Sequence, residues 1–352
     1  MLKYFLLGIV LAVHIFLASM LFFSDTLSRA PAAAEAVVPD TSSSELSGGN
    51  SEGGESAPGL SGAVKEKLSI FSDDYFTPVG LTPPAALLKS TDACQAAGVF
   101  TLPDRRMLWG KKVESAYPMA SLTKMMTALL VMEEIQYGNS GITLQTPVRV
   151  SKNATRIGTR QVWLDPRETF TVDELLKCIL IRSANDCAFL LGEFLAGGSH
   201  DDFVKQMNSR ARQLGCRRFV FYNAHGLPHG REGQENQGCV LELAYLAERL
   251  WQYPAVMKWT ATWQEYIREN TQKPFQLDST NRLLRTCPGV NGMKTGMTDK
   301  AGYCVVATCE REQGRVVVIV MGVKGRGGDK VRDDIARQLI EWAYTSQTGV
   351  AP

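Results

Sequence analysis

The chain has few of the residues that bind metal ions. It contains only four histidines among 352 residues, and no two cysteines form a C-x-x-C pair. Because protein zinc sites draw their ligands from closely spaced cysteine and histidine, no metal site is expected. Most of the eight cysteines lie inside apolar runs, which favours buried free thiols over disulfides, although an oxidising compartment would allow pairing. They are Cys94, Cys178, Cys187, Cys216, Cys239, Cys287, Cys304 and Cys309.

The chain also has little net charge. Charged residues make up 21% of it and the formal net charge is +2, so no nucleic-acid partner is predicted. The first 82 residues hold 4 basic and 9 acidic side chains, which leaves residues 83–352 with 34 basic and 27 acidic ones. This mildly basic part suits an acidic polymer or a terminal carboxylate. An ordinary solvated surface has the same balance, and charge alone does not separate the two.

The N-terminal segment predicts export. Residues 1–23 combine Lys3 with a 20-residue run, Tyr4–Phe23, which only His14 and Ser19 interrupt. That length lies between a signal-peptide core and a membrane-spanning helix. Ala30-Pro31-Ala32 lies far past the run and is a poor cleavage site, which favours an uncleaved membrane anchor. In either case the rest of the chain is expected outside the cytoplasmic membrane, in the cell envelope or periplasm.

Residues 24–82 are rich in serine, glycine, alanine and glutamate. Such a composition cannot bury enough apolar surface to offset the entropy of ordering, and it predicts a flexible linker spanning roughly 40 Å. Residues 83–346 are expected to form the catalytic domain, with a short tail at 347–352.

Within the folded part, strand patterns lie at both ends and a helical block covers about 120–252. The predicted strands are Ala85–Lys89, Gly98–Leu102, Arg106–Gly110, Gly302–Cys309 and Arg315–Val323, the last two joined by a turn at 310–314. Asp329–Tyr344 reads as an amphipathic helix with Val331, Ile335, Leu339 and Trp342 on one stripe. Since single hairpins are unstable alone, the end strands should share a sheet. We therefore expect an α/β (α+β) architecture, in which an antiparallel sheet is flanked by helices with an inserted helical lobe.

Two helices of the block carry clear start signals. Thr171-Val-Asp-Glu174 is a capping box that precedes an apolar run. Ser199 precedes a second helix, which Gly215 ends.

The first chemical pattern is Ser121-Leu-Thr-Lys124, which precedes an apolar helical run. In a helix that begins near Ala120, Lys124 lies on the same face as Ser121. A serine hydroxyl needs a base to become a nucleophile, and a lysine can be that base when burial lowers its pKa. An N-capping serine beside a solvated lysine would give the same letters.

Two further patterns follow along the chain. Ser183-Ala-Asn185 falls between two apolar helices, where the side chains either cap the next helix or face a cleft. In the cleft, Ser183 would relay a proton to a leaving amine and Asn185 would hold a substrate amide. Lys294-Thr-Gly296 lies in extended chain, where an ammonium and a hydroxyl can bind a carboxylate and glycine lets a substrate backbone approach. An exposed strand end is the alternative.

Together, the order Ser-x-x-Lys, Ser-x-Asn, Lys-Thr-Gly indicates a penicillin-recognising serine acyl-enzyme. From about residue 84 to 344 the chain resembles the low-molecular-mass D-alanyl-D-alanine carboxypeptidases, a family of penicillin-binding proteins. The stretches that carry the resemblance are Pro118–Thr127, Val172–Lys177, Ile181–Asp186, Asn223–Leu227, Asn281–Leu284, Pro288–Thr298 and Ala301–Tyr303.

The resemblance implies a β-lactamase/transpeptidase-like fold and a hydrolase that acts on peptidoglycan stem peptides and binds β-lactams. It also implies that Ser121 attacks the carbonyl between two terminal D-alanines and that Lys124 accepts its proton. Ser183 would protonate the leaving D-alanine, while Asn185 orients the acyl-enzyme. Substrate-binding residues would be Lys294, Thr295, Gly296 and Met297, the first two for the terminal carboxylate. The backbone N–H groups of Ser121 and Met297 would form the oxyanion hole.

Three alternatives remain open at this point. The family also includes DD-endopeptidases that cut cross-links. A β-lactamase would need an additional deacylating glutamate, and Glu168 lacks the sequence context of one. An inactive β-lactam-binding protein is disfavoured because all three patterns are intact. The stretch His229–Cys239 departs from the family pattern and affects the expected rim of the site. Only 56 residues follow Gly296, which places the expected membrane link at the N-terminus.

Overall fold

The computed structural model of the chain describes residues 69–230 and 232–347. The predicted anchor at residues 1–23 lies outside the described residues, as do residues 24–68 of the predicted linker and 348–352 of the predicted tail. In the described ranges, no helix has both the length and the apolar character needed to cross a membrane.

The elements of the described residues alternate between short strands and helices. The strands are β1 (Thr77–Pro78), β2 (Ala96–Leu102), β3 (Arg106–Lys111), β4 (Tyr117–Pro118), β5 (Pro147–Arg149), β6 (Thr169–Thr171), β7 (Gln237–Gly238), β8 (Gln264–Ile267), β9 (Phe275–Asp278), β10 (Val290–Thr298), β11 (Gly302–Arg311) and β12 (Gly314–Val323). The helices are α1 (Ala85–Ser90), α2 (Lys124–Tyr137), α3 (Val172–Lys177), α4 (Asn185–Leu195), α5 (His200–Gln213), α6 (Val240–Trp251), α7 (Pro254–Ala261), α8 (Leu283–Thr286) and α9 (Gly328–Gln347).

Six of the described strands form one sheet in the order β1-β3-β2-β12-β11-β10. All pairs are antiparallel except β1 with β3. The strand β10 lies at the edge, and an edge strand has backbone groups free to pair with an extended peptide. The chain between β3 and β10 supplies α2 to α8, so the predicted α+β arrangement with an inserted helical lobe is confirmed.

Both faces of the central strands are buried. On β12, Val318 and Val320 pack in a cluster that includes Leu339 of α9, whereas Val317 and Ile319 belong to the larger cluster under the helical lobe. A strand covered on both faces needs apolar residues at successive positions. This explains the unbroken apolar run that marked β12 in the sequence.

Several local predictions are confirmed. The Thr171 hydroxyl accepts from the Glu174 backbone N–H while the Glu174 carboxylate accepts from the Thr171 N–H, which completes the capping box. The Ser199 side chain caps α5. Each of the eight cysteines, all within the described ranges, is a buried free thiol.

Other predictions were wrong. Ala85–Lys89 is helical and forms part of α1 rather than a strand. A short apolar run has too few residues to show a period, and here Pro84 precedes a helix start. The buried face of α9 includes Ile335 and Leu339, but Val331 is 40% exposed. The block at 120–252 is not wholly helical, because β5 pairs with β6 inside it.

The predicted linker ends too late at residue 82. Phe71, Tyr75 and Phe76 are buried in the larger core cluster. Phe71 and Tyr75 both pack against Tyr245 of α6, with ring centroids 5.4 and 4.9 Å away. Because these aromatic rings bury large apolar areas, the folded part includes the chain from about residue 69 onward.

Candidate active site

Ser121 lies in a tight turn at the start of the helical lobe. A 3₁₀ turn, Ala120–Thr123, leads directly into α2, which begins at Lys124. Ala120 has φ +47°, a conformation that is uncommon for a residue with a side chain and that occurs often at functional sites. The turn leaves Ser121 half-buried and places Lys124 below it, three residues along the same helical face.

The Lys124 amine is enclosed by three oxygen atoms. Its Nζ lies 2.9 Å from Ser121 Oγ, 2.7 Å from Asn185 Oδ1 and 2.6 Å from the backbone oxygen of His225. The side chain is fully buried. Desolvation, followed by the positive charge of Arg160, holds the pKa of Lys124 well below its ordinary value. The neutral amine is therefore accessible at a much lower pH than for a solvated lysine.

The His225 carbonyl is positioned by a turn whose role sequence reasoning missed. Asn223 Oδ1 accepts from the backbone N–H groups of His225 (3.1 Å) and Gly226 (2.6 Å). Gly226 has φ +88°, and a Cβ there would collide with the carbonyl of Ala120. An asparagine with a glycine three residues later is consistent with a turn, so the turn could have been predicted, although its contact with Lys124 could not.

Ser183 and Asn185 end one helix and begin the next. After α3 the chain continues as a π-helix, Cys178–Arg182, and Ser183 then adopts a left-handed conformation with φ +66°. Asn185 opens α4, and its Nδ2 donates to the Gly158 carbonyl (3.2 Å) and to Thr159 Oγ1 (2.8 Å). These two acceptors fix the amide so that its oxygen faces Lys124.

The strand β10 brings the third pattern to the site. Lys294 is 1% exposed, and its Nζ donates to Ser183 Oγ (2.8 Å) and to the Thr295 carbonyl (2.9 Å). Desolvation, followed by the charges of Lys124 and Arg160, lowers the pKa of Lys294. The Thr295 hydroxyl lies 2.7 Å from Thr280 Oγ1.

Gly296 is required by close packing of two backbone segments. A Cβ at this position would lie 2.9 Å from the Met119 carbonyl oxygen and 3.0 Å from the backbone nitrogen of Ser121. The absence of a side chain therefore lets β10 approach the Ser121 turn. The next residue, Met297, is 49% exposed at the sheet edge.

The structure thus forms two hydrogen-bonded groups from the predicted residues. One group contains Ser121, Lys124 and Asn185, and the other contains Ser183, Lys294 and Thr295. No hydrogen bond joins the Ser121 and Ser183 hydroxyls in the described part of the chain. Within residues 69–230 and 232–347, no cluster of three or more His, Cys, Asp or Glu side chains is arranged to hold a metal ion.

A loop over residues 157–168 supports Asn185. The Arg268 guanidinium forms two 2.7 Å bonds to Glu168 and donates to the carbonyls of Val162 (2.9 Å) and Trp163 (3.2 Å). Glu168 is thus engaged in a structural ion pair. Arg268 therefore holds the loop that carries the acceptors of Asn185.

The chain is similar to D-alanyl-D-alanine carboxypeptidases and to a D-alanyl-D-alanine endopeptidase. A family model for D-alanyl-D-alanine carboxypeptidase, Peptidase S11, matches residues 93–325. The D-alanyl-D-alanine carboxypeptidase DacF of Bacillus subtilis is 37% identical over 240 residues, which are 68% of this chain and 59% of DacF. A D-alanyl-D-alanine endopeptidase of Haemophilus influenzae is 29% identical over 224 residues, which are 63% of this chain and 72% of that protein.

A solved structure shows the same fold. The ampicillin-bound form of penicillin-binding protein D2 from Listeria monocytogenes superposes with a TM-score of 0.62 at 30% identity, covering 72% of this chain and 98% of that chain. This likeness confirms the predicted fold class. The family match covers all three patterns, from Ser121 to Gly296, and the chain belongs to the D-alanyl-D-alanine carboxypeptidase family, Peptidase S11.

Proposed function

We propose that this chain is a serine-type D-alanyl-D-alanine carboxypeptidase that acts on peptidoglycan stem peptides and is acylated by β-lactams at Ser121. The observation that carries the proposal is the buried Lys124 amine 2.9 Å from Ser121 Oγ. Since the chain spans 59% of the length of DacF, the activity of the whole relative is carried over here as a proposal.

Hydrogen-bond valence assigns the direction of proton transfer. A neutral amine has two N–H bonds and one lone pair. The Asn185 amide oxygen and the His225 carbonyl can only accept, so they take both N–H bonds of neutral Lys124. The lone pair then faces Ser121, whose hydroxyl donates to it. This is the arrangement that a general base needs before the hydroxyl oxygen attacks a carbonyl carbon.

Attack gives a tetrahedral oxyanion beside the edge of β10. The bond from Ser121 Oγ to the carbonyl carbon forms while its proton passes to Lys124. The backbone N–H groups of Ser121 and Met297 are the donors for the oxyanion. The close approach at Gly296 supports this role. A Cβ added at Gly296 would lie 3.0 Å from the Ser121 nitrogen, so the edge of β10 runs directly beside that nitrogen.

Collapse of the tetrahedral species breaks the bond to the leaving D-alanine. The Ser183 hydroxyl passes its proton to the leaving nitrogen and is reprotonated by the proton that Lys124 took from Ser121, which returns Lys124 to its neutral form; the adjacent Lys294 amine orients that hydroxyl. Lys294 and Thr295 form the end of the cleft that receives the terminal carboxylate, while Asn185 orients the acyl group. Water then hydrolyses the ester and restores Ser121, with no cofactor required.

The test uses purified full-length protein and a peptide ending in two D-alanines. Release of free D-alanine is expected, and labelled penicillin should attach covalently to Ser121. The Ser121→Ala variant should do neither. Label uptake by Ser121→Ala would overturn the assignment of the nucleophile, and wild-type protein that releases no D-alanine would overturn the activity.

A DD-endopeptidase is the second candidate, favoured by the match over 72% of the Haemophilus influenzae endopeptidase. A cross-linked dimer peptide separates the two activities, because a carboxypeptidase releases only terminal D-alanine whereas an endopeptidase yields two monomers. Rapid turnover of penicillin would instead indicate a β-lactamase. That outcome is not expected, because Glu168, the acidic residue considered for deacylation, is engaged by Arg268.

We also propose that the protein works outside the cytoplasmic membrane, anchored through residues 1–23. The basis is the apolar run Tyr4–Phe23 together with the cell-wall substrate of the family. Intact mass of protein extracted from the membrane fraction tests this directly. A mass that lacks the first residues would show cleavage and end the anchor proposal.

A further inference from the structure

The Lys294 amine already has two hydrogen-bond partners within the protein. The amine is buried, with the Thr295 carbonyl at 2.9 Å and Ser183 Oγ at 2.8 Å. The carbonyl can only accept, and the hydroxyl accepts the second N–H of a neutral amine while its own proton remains for transfer. Desolvation, followed by the charges of Lys124 and Arg160, lowers the pKa of Lys294, which favours the neutral amine. In its neutral form the amine has no further N–H bond for a carboxylate, so a second cation at this end of the cleft would strengthen carboxylate binding.

Arg182 is a cation without an anionic partner at this end of the cleft. It ends the π-helix and directly precedes Ser183. Its Nε is shielded from solvent and has no hydrogen-bond partner in the described residues. None of the ion pairs of the described residues includes Arg182, whereas Arg268 and Arg311 each bind a carboxylate. A shielded donor without a partner is rare, and it marks a place where a ligand can complete the bonding.

Hydrogen bonds of its neighbours tie the backbone around Arg182 to the threonine segment. The carbonyl of Ile181, the preceding residue, accepts from the Thr280 backbone N–H at 3.2 Å. The Thr280 hydroxyl lies 2.7 Å from that of Thr295, and the following residue, Ser183, contacts Lys294. The residues on both sides of Arg182 are therefore tied to the segments that border the proposed carboxylate end.

The carboxylate near Arg182, that of Asp278, already has other hydrogen-bond donors. The carboxylate of Asp278 accepts hydrogen bonds from the amides of Gln264 (3.0 Å) and Gln276 (2.7 Å). These bonds, and then the positive charge of Arg182, lower the pKa of Asp278. Two further arginines, Arg160 and Arg332, add positive potential near Arg182. The charge of Arg160 also contributes to lowering the pKa of Lys294, after desolvation and the charge of Lys124. Of these two, Arg332 is already paired with its neighbour Asp333.

We propose that the Arg182 guanidinium binds the terminal carboxylate of the D-alanyl-D-alanine substrate, next to the hydroxyls of Thr280 and Thr295. The inference rests on the proposed function and names the group that makes the site specific for a free carboxylate. A guanidinium stays charged at every physiological pH and matches a carboxylate with two parallel N–H bonds. A buried amine that must orient Ser183 provides neither property.

The test compares two peptides that differ only at the C-terminus, a free carboxylate or a carboxamide after the same two D-alanines. Wild-type protein should strongly prefer the acid. Arg182→Gln should lower kcat/KM for the acid peptide about 30-fold, mainly through KM, and should change that for the amide peptide by less than about 3-fold. Arg182→Lys should recover part of the preference because it restores the charge. Arg337→Gln, a surface arginine near Asp334 on α9, is the matched control and should behave as wild type.

Several outcomes would overturn the proposal. One is an Arg182→Gln variant that keeps the full preference for the acid peptide. Another is an equal loss of activity on both peptides, which would mean that Arg182 only supports the Ser183 turn. If Arg182→Gln does not fold, Arg182→Lys provides the test instead. A folded Arg182→Lys variant that cleaves the acid and amide peptides equally well would also refute the proposal. Wild-type protein that releases no D-alanine and takes up no labelled penicillin would instead reject the proposed function itself.

Discussion

The Lys124 amine is the group on which the proposed chemistry depends most directly. Replacing Lys124 by methionine keeps the length of the side chain and removes the lone pair that faces Ser121 Oγ at 2.9 Å. Loss of a positioned general base costs 10²- to 10⁴-fold in rate. We expect acylation to slow by about 10³-fold, which corresponds to about 4 kcal/mol of transition-state stabilisation. Lys124→Arg should be equally slow, because a guanidinium does not give up its proton.

The assay is the second-order rate of Ser121 acylation by a fluorescent penicillin, measured across pH. Since the folded protein lowers the pKa of Lys124, the neutral amine is present above that pKa and is lost as the pH falls through it. The wild-type rate should therefore fall about tenfold per pH unit on the acid side, and the Lys124→Met rate should lack this dependence. Lys177→Met, whose amine pairs with Asp173, is the control outside the site. A Lys124→Met protein that is folded and acylates within about tenfold of wild type at neutral pH would refute the reasoning.

Three further predictions follow from packing and burial. Gly296→Ala places a Cβ 3.0 Å from the Ser121 nitrogen and should slow acylation by about 10²-fold. The rate is measured with the same fluorescent penicillin, and an unchanged rate would show that the close approach is not needed. Arg268→Met removes both hydrogen bonds to Glu168 and the bond to the Trp163 carbonyl. It should lower the free energy of unfolding in urea by about 3 kcal/mol, and a change below about 1 kcal/mol would contradict the proposed support of the loop by Arg268. All eight cysteines are buried and free, so thiol titration without reductant should give eight thiols after denaturation and slow reaction before it; a lower count in denaturant would reveal disulfides.

Local signals predicted local structure well. Two helix caps, the capping box at Thr171 and Glu174 and the cap at Ser199, need contacts only between residues three positions apart. The local sequence is therefore enough to predict them. The β11–β12 hairpin was equally readable, because its partners are close in sequence. Ala85–Lys89 failed because a short apolar run suits a helix as well as a strand.

Long-range packing explains the remaining errors. Phe71 and Tyr75 follow a polar, glycine-rich stretch, and the composition of that stretch does not indicate that the two aromatic residues belong to the core. Their partner Tyr245 stands about 170 residues later in the chain. Composition averages over a window cannot detect such a partner, so the linker was extended over residues that are in fact packed.

The amino-acid sequence by itself identified the candidate nucleophile, since Ser121 and Lys124 share one helical turn and the helical repeat dictates their contact. It also identified the other patterns and the family they resemble. Only the tertiary structure decided how the lysines are used: Asn185 and His225 reach Lys124 from 61 and 101 residues away, and Ser183 reaches Lys294 from 111. Burial and the partners of each amine arise from such distant contacts, and they determine its charge and its available hydrogen bonds. For that reason the proposed roles of base, proton relay and carboxylate-binding cation could be assigned to separate residues only in the folded protein.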